Sequence, residues 1–106
     1  MRMMVKVSLP TDVANAAILN GSFAPTLQKI LGEIKPEAAY FITNDNGERT
    51  ALIFMDMKES SQIPAIAEPF FQAFHAKVTM YPCMNAQDLA AAQPALDGAK
   101  HYGKRG

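Results

Sequence analysis

The run "AAYFITNDNGERTALIFMDM", residues 38–57, limits the fold more than any other part of the chain. Two stretches of β-branched, aromatic and small residues flank Asn44-Asp45-Asn46-Gly47. Asn and Gly tolerate the positive φ angles that a tight hairpin requires. Such a pair of strands is antiparallel, so the fold must contain an antiparallel sheet. Two strands alone are marginal in water, and the rest of the chain must supply partners and a cover.

It does so on both sides of the hairpin. Met3, Val5, Val7 and Leu9 alternate with Met4, Lys6 and Ser8, the period of a strand with one wholly apolar face. Pro10 ends that strand and Thr11 or Asp12 caps a helix. Val13, Ala16, Ala17, Leu27, Ile30, Leu31 and Ile34 hold helical spacing as far as Pro36. Gly21 and Pro25 predict a kink or two consecutive helices, with Ser22 capping the second. After the hairpin, Ser60 or Ser61 caps another helix, with Pro64 in its first turn. Ile63, Ile66, Ala67, Phe70 and Phe74 form its buried side, and Pro69 predicts a kink. "KVTMYPC" reads as a fourth strand, and Asn85 caps a short helix, "AQDLAAAQ", that stops near Pro94. The order is βαββαβ. This is the α+β, ferredoxin-like arrangement, with both helices on one face of a four-stranded antiparallel sheet. One domain is expected over residues 1–95, with a flexible tail over 96–106. The basic run Lys100, His101, Lys104 and Arg105 falls in that tail and reads as a solvated end.

The totals remove several classes of function. A chain of 106 residues, 49% of them hydrophobic, builds a single core. Ten basic and ten acidic residues cancel, leaving no field that favours nucleic acid or an anionic membrane. The central strands lack the basic and aromatic pattern that stacks RNA bases. "LPTDVAN" after the first strand lacks the Gly-rich, arginine-bearing loop of an acylphosphatase, and no HExxH or GxSxG is present. A single cysteine permits no internal disulfide and no thiolate-rich metal site, so neither metal nor cofactor is expected. Met3, Met55, Met57 and Met80 fall at strand period, as core packing predicts, rather than as copper ligands. The N-terminus has no signal-peptide pattern and no run approaches the roughly 20 apolar residues of a membrane span. A reducing cytoplasm fits this composition.

The alternation leaves the sheet's second face uncovered. With Ala51, Ile53, Met55 and Met57 towards the helices, Leu52, Phe54, Asp56 and Lys58 point the other way. They join Met4 and Lys6 from the first strand, Phe41 or Tyr40 from the second, and Tyr81 from the fourth. That patch is too apolar to leave in water, and a second copy packed face to face is the simplest cover. In "MRMMVKVSLP", the hairpin, "IPAIAEPFFQAF" and "KVTMYPCMNAQDL", over roughly residues 1–92, the chain resembles the dimeric α+β-barrel superfamily and its small bacterial members. The resemblance implies a homodimer whose facing sheets enclose a pocket for a small apolar or aromatic ligand. That superfamily includes cofactor-independent monooxygenases, muconolactone-type isomerases, dehalogenating enzymes, haem-degrading proteins and members with no known activity.

The candidate site is the polar part of this face. Asp56 as base, Lys6 stabilising a developing oxyanion and Tyr81 donating a hydrogen bond would make a proton-transfer site. Met4, Phe41, Leu52, Phe54 and Cys83 would line it. The plainer account is a cross-strand ion pair at the rim of an interface in a dimeric regulatory or scaffold module, and the sequence favours it. Cys83 reads as a small buried hydrophobe, with a nucleophilic role dependent on a cation or helix N-terminus nearby. His75, at the end of the helix covering the other face, is expected to lie apart from Cys83 despite their closeness in sequence.

Overall fold

The computed structural model describes residues 1–103; Lys104 and Arg105 of the basic run lie outside the described residues. Four strands, β1 (Arg2–Ser8), β2 (Ala38–Thr43), β3 (Arg49–Asp56) and β4 (Lys77–Pro82), form one sheet in the order β2-β3-β1-β4. All neighbouring pairs are antiparallel. Between β1 and β2 run α1 (Thr11–Leu19) and α2 (Phe23–Ile34), and α3 (Ile63–Phe74) connects β3 to β4. The architecture is α+β and ferredoxin-like, with the first crossover made by two consecutive helices.

Local chemistry explains the joints. Asn44 Oδ1 accepts from the N–H groups of Asn46 and Glu48, both at 2.9 Å, and Gly47 takes φ +74° to close the hairpin. Gly21, at φ +82°, separates α1 from α2. The expected side-chain caps on these helices do not form. Pro10 itself occupies the cap position of α1, which places Thr11 already inside the helix. Ser22 has helical dihedrals and donates its own N–H to Asn20 Oδ1 at 2.9 Å. Before α3, Glu59 and Gln62 close a reciprocal capping box around a 3₁₀ turn over Ser60–Gln62 in place of a serine cap. α3 runs through Pro69 as one element and ends at His75 in the left-handed conformation, φ +51°.

The core lies between one sheet face and the helices. Met3, Val5, Val7 and Leu9, with Ala51, Ile53, Met55 and Met57, meet Ala14, Ala17, Ile30, Ile66, Phe70 and Phe74. Phe23 and Phe74 hold their ring centroids 5.6 Å apart. Each of the fully buried phenylalanines contributes about 1.5–3 kcal/mol by removal from water.

The chain beyond β4 departs from this body. Asn85 and Asp88 form a reciprocal capping box that starts α4 (Ala86–Ala91), and α5 (Gln93–Gly98) and a 3₁₀ turn at Lys100–Gly103 follow. None of their residues is buried. The molecule measures 63 × 29 × 21 Å with a radius of gyration of 17.8 Å. A compact chain of this length would have about 13 Å. The excess is an arm projecting from the end of the sheet.

Candidate functional site

The open face of the sheet is built in cross-strand rows. Tyr81, Met4, Phe54 and Ala38 form one row; Thr79, Lys6, Leu52 and Tyr40 form the next; Lys77, Ser8, Thr50 and Ile42 form the third. Arg2 and Asp56 begin another row at the end from which the arm leaves. Side chains across such rows touch directly, and diagonal neighbours lie about 7–8 Å apart. The register therefore decides which residues meet.

The centre is mixed in character. Tyr40 packs edge-on against Phe54, centroids 6.2 Å apart, while Tyr40, Ile42 and Tyr81 are exposed at 60%, 43% and 47%. Met4, Lys6, Leu52 and Phe54 are half-buried by one another. Lys6 has Leu52 on one side and Thr79 on the other, with Tyr81 diagonal to it. Among the described residues no carboxylate pairs with its ammonium. In the third row, Ser8 and Thr50 are buried and share a 3.2 Å hydrogen bond, and Asn44 Nδ2 donates to Ser8 Oγ, so these hydroxyls are satisfied.

The predicted polar trio is thus divided. Lys6 and Tyr81 belong to the central rows, but Asp56 stands opposite Arg2, four residues from Lys6 along β1. At about 3.3 Å per residue that is about 13 Å, too far for a direct pair. Asp56 instead accepts a 2.7 Å hydrogen bond from the Met1 amine, and its side chain is 62% exposed. That amine, by hydrogen bonding and then by charge, holds the Asp56 carboxyl below its ordinary range. Beside it Arg2 forks onto Glu37, Nη2 to Oε2 at 3.2 Å, and approaches Asp88 of the arm at 3.9 Å. The Arg2 hydrogen bond lowers the Glu37 pKa and raises that of Arg2. This end of the sheet is a rim of exposed ion pairs.

Phe41 is a correction. β2 places Tyr40 on the open face, and Phe41 points to the helix side, where it lines a cleft with Phe23, Leu27 and Phe74. Both positions are aromatic, so alternation alone does not choose between them. Cys83 has the open-face parity, is half-buried, and binds the Arg2 carbonyl through both its N–H (3.0 Å) and its thiol (3.7 Å). His75 precedes β4 and Cys83 follows it, so they lie at opposite ends of an extended strand, about 26 Å apart at the usual rise. Among the described residues no three His, Cys, Asp or Glu side chains gather as a metal site, and no helix is long and apolar enough to cross a membrane.

No protein-family model matches the chain, and no curated protein matches it. Its fold is similar to that of 5-chloro-2-hydroxyhydroquinone dehydrochlorinase from Burkholderia phenoliruptrix AC1100, in complex with 2,5-dihydroxybenzoquinone. The TM-score is 0.61 at 15% identity, over 82% of this chain and 97% of that one. A formyltetrahydrofolate deformylase from Pseudomonas putida KT2440 shares 11% identity at a TM-score of 0.48, over 78% of this chain and 29% of that one. The first likeness independently places the chain among ferredoxin-like α+β folds.

Proposed function

We propose that this protein is a homodimer whose open sheet faces oppose one another and enclose a pocket for a small, oxygen-bearing aromatic ligand. The observation that carries this reading is the composition of the open face: two exposed tyrosines, Ile42 and half-buried Phe54, Leu52 and Met4 surround Lys6, with Lys77 diagonal to it on the edge strand β4. A largely apolar face with a cation at its centre suits a flat ligand carrying partial or full negative charge on oxygen. A second copy supplies the cover at a spacing of about 10 Å between sheets. The same fold holds a dihydroxybenzoquinone in the dehydrochlorinase complex, which makes such a ligand a reasonable probe. In this reading Lys6 orients or stabilises the ligand's oxygen and Tyr81 donates a hydrogen bond. Asp56 acts at the rim, where it meets ligand only if the dimer brings the two rims inward.

A second reading, a dimer without catalysis, is favoured by one observation: the carboxylate expected to serve as base is already engaged by the Met1 amine. Native mass spectrometry separates the outcomes. A dimer is expected, and a monomer at micromolar concentration overturns both readings. Titration with 2,5-dihydroxybenzoquinone should then show binding that weakens about tenfold or more in Lys6→Met, the loss of one charge-assisted hydrogen bond. An intact dimer with no binding, or with binding indifferent to Lys6, leaves the non-catalytic reading.

A further inference from the structure

On the other side of the sheet, away from the proposed dimer pocket, the helices leave an apolar cleft of about 550 Å³. It lies where α2 and α3 stop short of the edge strand β2. Phe23 and Leu27 of α2, Phe74 of α3 and Phe41 of β2 form its walls. Phe41 is 60% exposed although it points to the helix side, which marks the cleft as open to solvent. The volume falls in the range of small-molecule sites, roughly 300–1,000 Å³.

The mouth carries the chemical information. Thr43 and Arg49 both line it, and they are direct cross-strand partners at the base of the hairpin. Among the described residues the Arg49 guanidinium has neither an ion-pair partner nor a hydrogen bond to any side chain. The backbone that carries it is held in place. The Asn44 side chain bridges the turn to Ser8 and to Glu48, and the Leu9 N–H donates to the Arg49 carbonyl at 3.0 Å. A guanidinium fork beside a hydroxyl is matched to one carboxylate, which it binds through paired hydrogen bonds. Among the described residues no second cation lines the cleft, so a polyphosphate or a dianion would be under-neutralised there. An amine head group would be repelled.

We infer that this cleft is a binding site for a monocarboxylate with an apolar body, the body lying among Phe23, Leu27, Phe41 and Phe74 and the carboxylate on Arg49 and Thr43. Aliphatic and aromatic carboxylates share that chemistry, and the length of the cleft against its aromatic walls decides between them.

The test is calorimetric titration of the full chain with decanoate and with 2-naphthoate, each compared with its neutral alcohol, decan-1-ol or 2-naphthol, and with decylamine. At least one carboxylate is expected to bind about tenfold or more tightly than its alcohol, the scale of one charge-assisted contact. Arg49→Gln should reduce that carboxylate to the affinity of its alcohol while leaving the alcohol's own binding unchanged. Lys29→Met, at an exposed cation of α2 that does not line the cleft, should change neither. Arg49 is exposed, so its replacement leaves the fold intact. Equal affinity for acid and alcohol, or indifference to Arg49→Gln, overturns the site. So does carboxylate binding that falls in Lys6→Met and not in Arg49→Gln, which would move the ligand to the open face. An absence of binding, with Phe41→Asp instead changing the oligomeric state, would assign the cleft to a neighbouring copy and also overturn it. The response to Arg49→Gln does not depend on whether the open face encloses a pocket.

Discussion

The two faces of the sheet use similar residue types towards opposite ends. On the helix face, Val5 and Ile53 are completely removed from solvent and Phe70 and Phe74 nearly so. On the open face, Phe54, Leu52 and Met4 occupy the same strands one residue out of phase, yet they remain only half covered. Strand periodicity alone produces both, because alternate side chains must go to alternate faces. What differs is the source of the cover. The chain supplies it for one face through α1, α2 and α3 and supplies none for the other. Residues on the first face therefore determine whether the monomer folds, and in the proposed dimer residues on the second determine whether two copies join.

Paired substitutions test this division, beginning with the largest effect. Phe74→Ala removes a ring that is 98% buried by its 2% exposure and packed on Phe23. It should cost about 3–5 kcal/mol of unfolding free energy by denaturant titration, because the rigid surroundings leave a cavity. Tyr40→Asp, on the open face, should cost the monomer less than about 1 kcal/mol, since the site is solvated and the change is at the surface. In the proposed dimer it would place a charge in an apolar interface, shifting the dissociation constant upward by at least about tenfold in analytical ultracentrifugation. If Tyr40→Asp lowers monomer stability as much as Phe74→Ala does, the two faces are not energetically distinct and the division fails.

Much of this was legible in the sequence, and the gaps have physical causes. The order of elements follows from the alternation in "MRMMVKVSLP", the turn at Asn44–Gly47 and the helical spacing of Ile66, Phe70 and Phe74. Face parity on β1 and β3 was equally readable, because each has one phase that is apolar through the middle of the strand, Met3, Val5 and Val7 on β1 and Ala51, Ile53 and Met55 on β3. Parity on β2 was not, since "AAYFIT" is apolar in both phases, as suits an edge strand with a solvated face and a cleft on the other. Register was also hidden. Lys6 and Asp56 share a face, but only the pairing of Arg2 with Asp56 shows that they belong to different rows. The cleft at Arg49 left no periodic trace because it depends on where α2 and α3 end relative to β2, a matter of packing geometry.

The arm extends the comparison to a third region. α4 and α5 are six residues each, and isolated helices shorter than about 12–15 residues are marginal in water. Leu89 and Leu96 project from them at 51% and 52% exposure, and Tyr102 from the 3₁₀ turn that follows at 83%. A second copy that covers the open face would also bring a surface within reach of an arm leaving the end of β4. Ending the chain after Met84 should leave the unfolding free energy of the body within about 1 kcal/mol, because no buried residue is removed. It should weaken the dimer several-fold, a smaller effect than Tyr40→Asp. Unchanged dimerisation after truncation would show that the arm takes no part in the assembly.

The smallest effect expected is at the ionic rim, and its sign is fixed by the direction of two shifts. Glu37 and Asp56 both titrate below their ordinary values of 4.5 and 3.8, held there by the Arg2 fork and the Met1 amine. A carboxyl with a lower pKa in the folded state stabilises that state at pH values above its unfolded pKa. The contribution disappears as pH falls through the folded value. Between pH 8 and 6 the Glu37 pair with Arg2 should contribute a constant amount, since Glu37 stays ionised well above its ordinary range. As pH drops below the ordinary carboxylate range the advantage of wild type over Glu37→Gln should shrink towards zero, because both then carry a neutral group at that position. Both carboxylates are exposed, so salt screening keeps the difference small, and it should shrink further on adding about 1 M salt, where the Debye length is about 3 Å. Comparing the two proteins at each pH removes the contribution of the other carboxylates. A melting-temperature difference that stays constant from neutral to acid pH would mean that Glu37 acts through packing rather than charge, and the rim would then belong with the apolar interior of the open face.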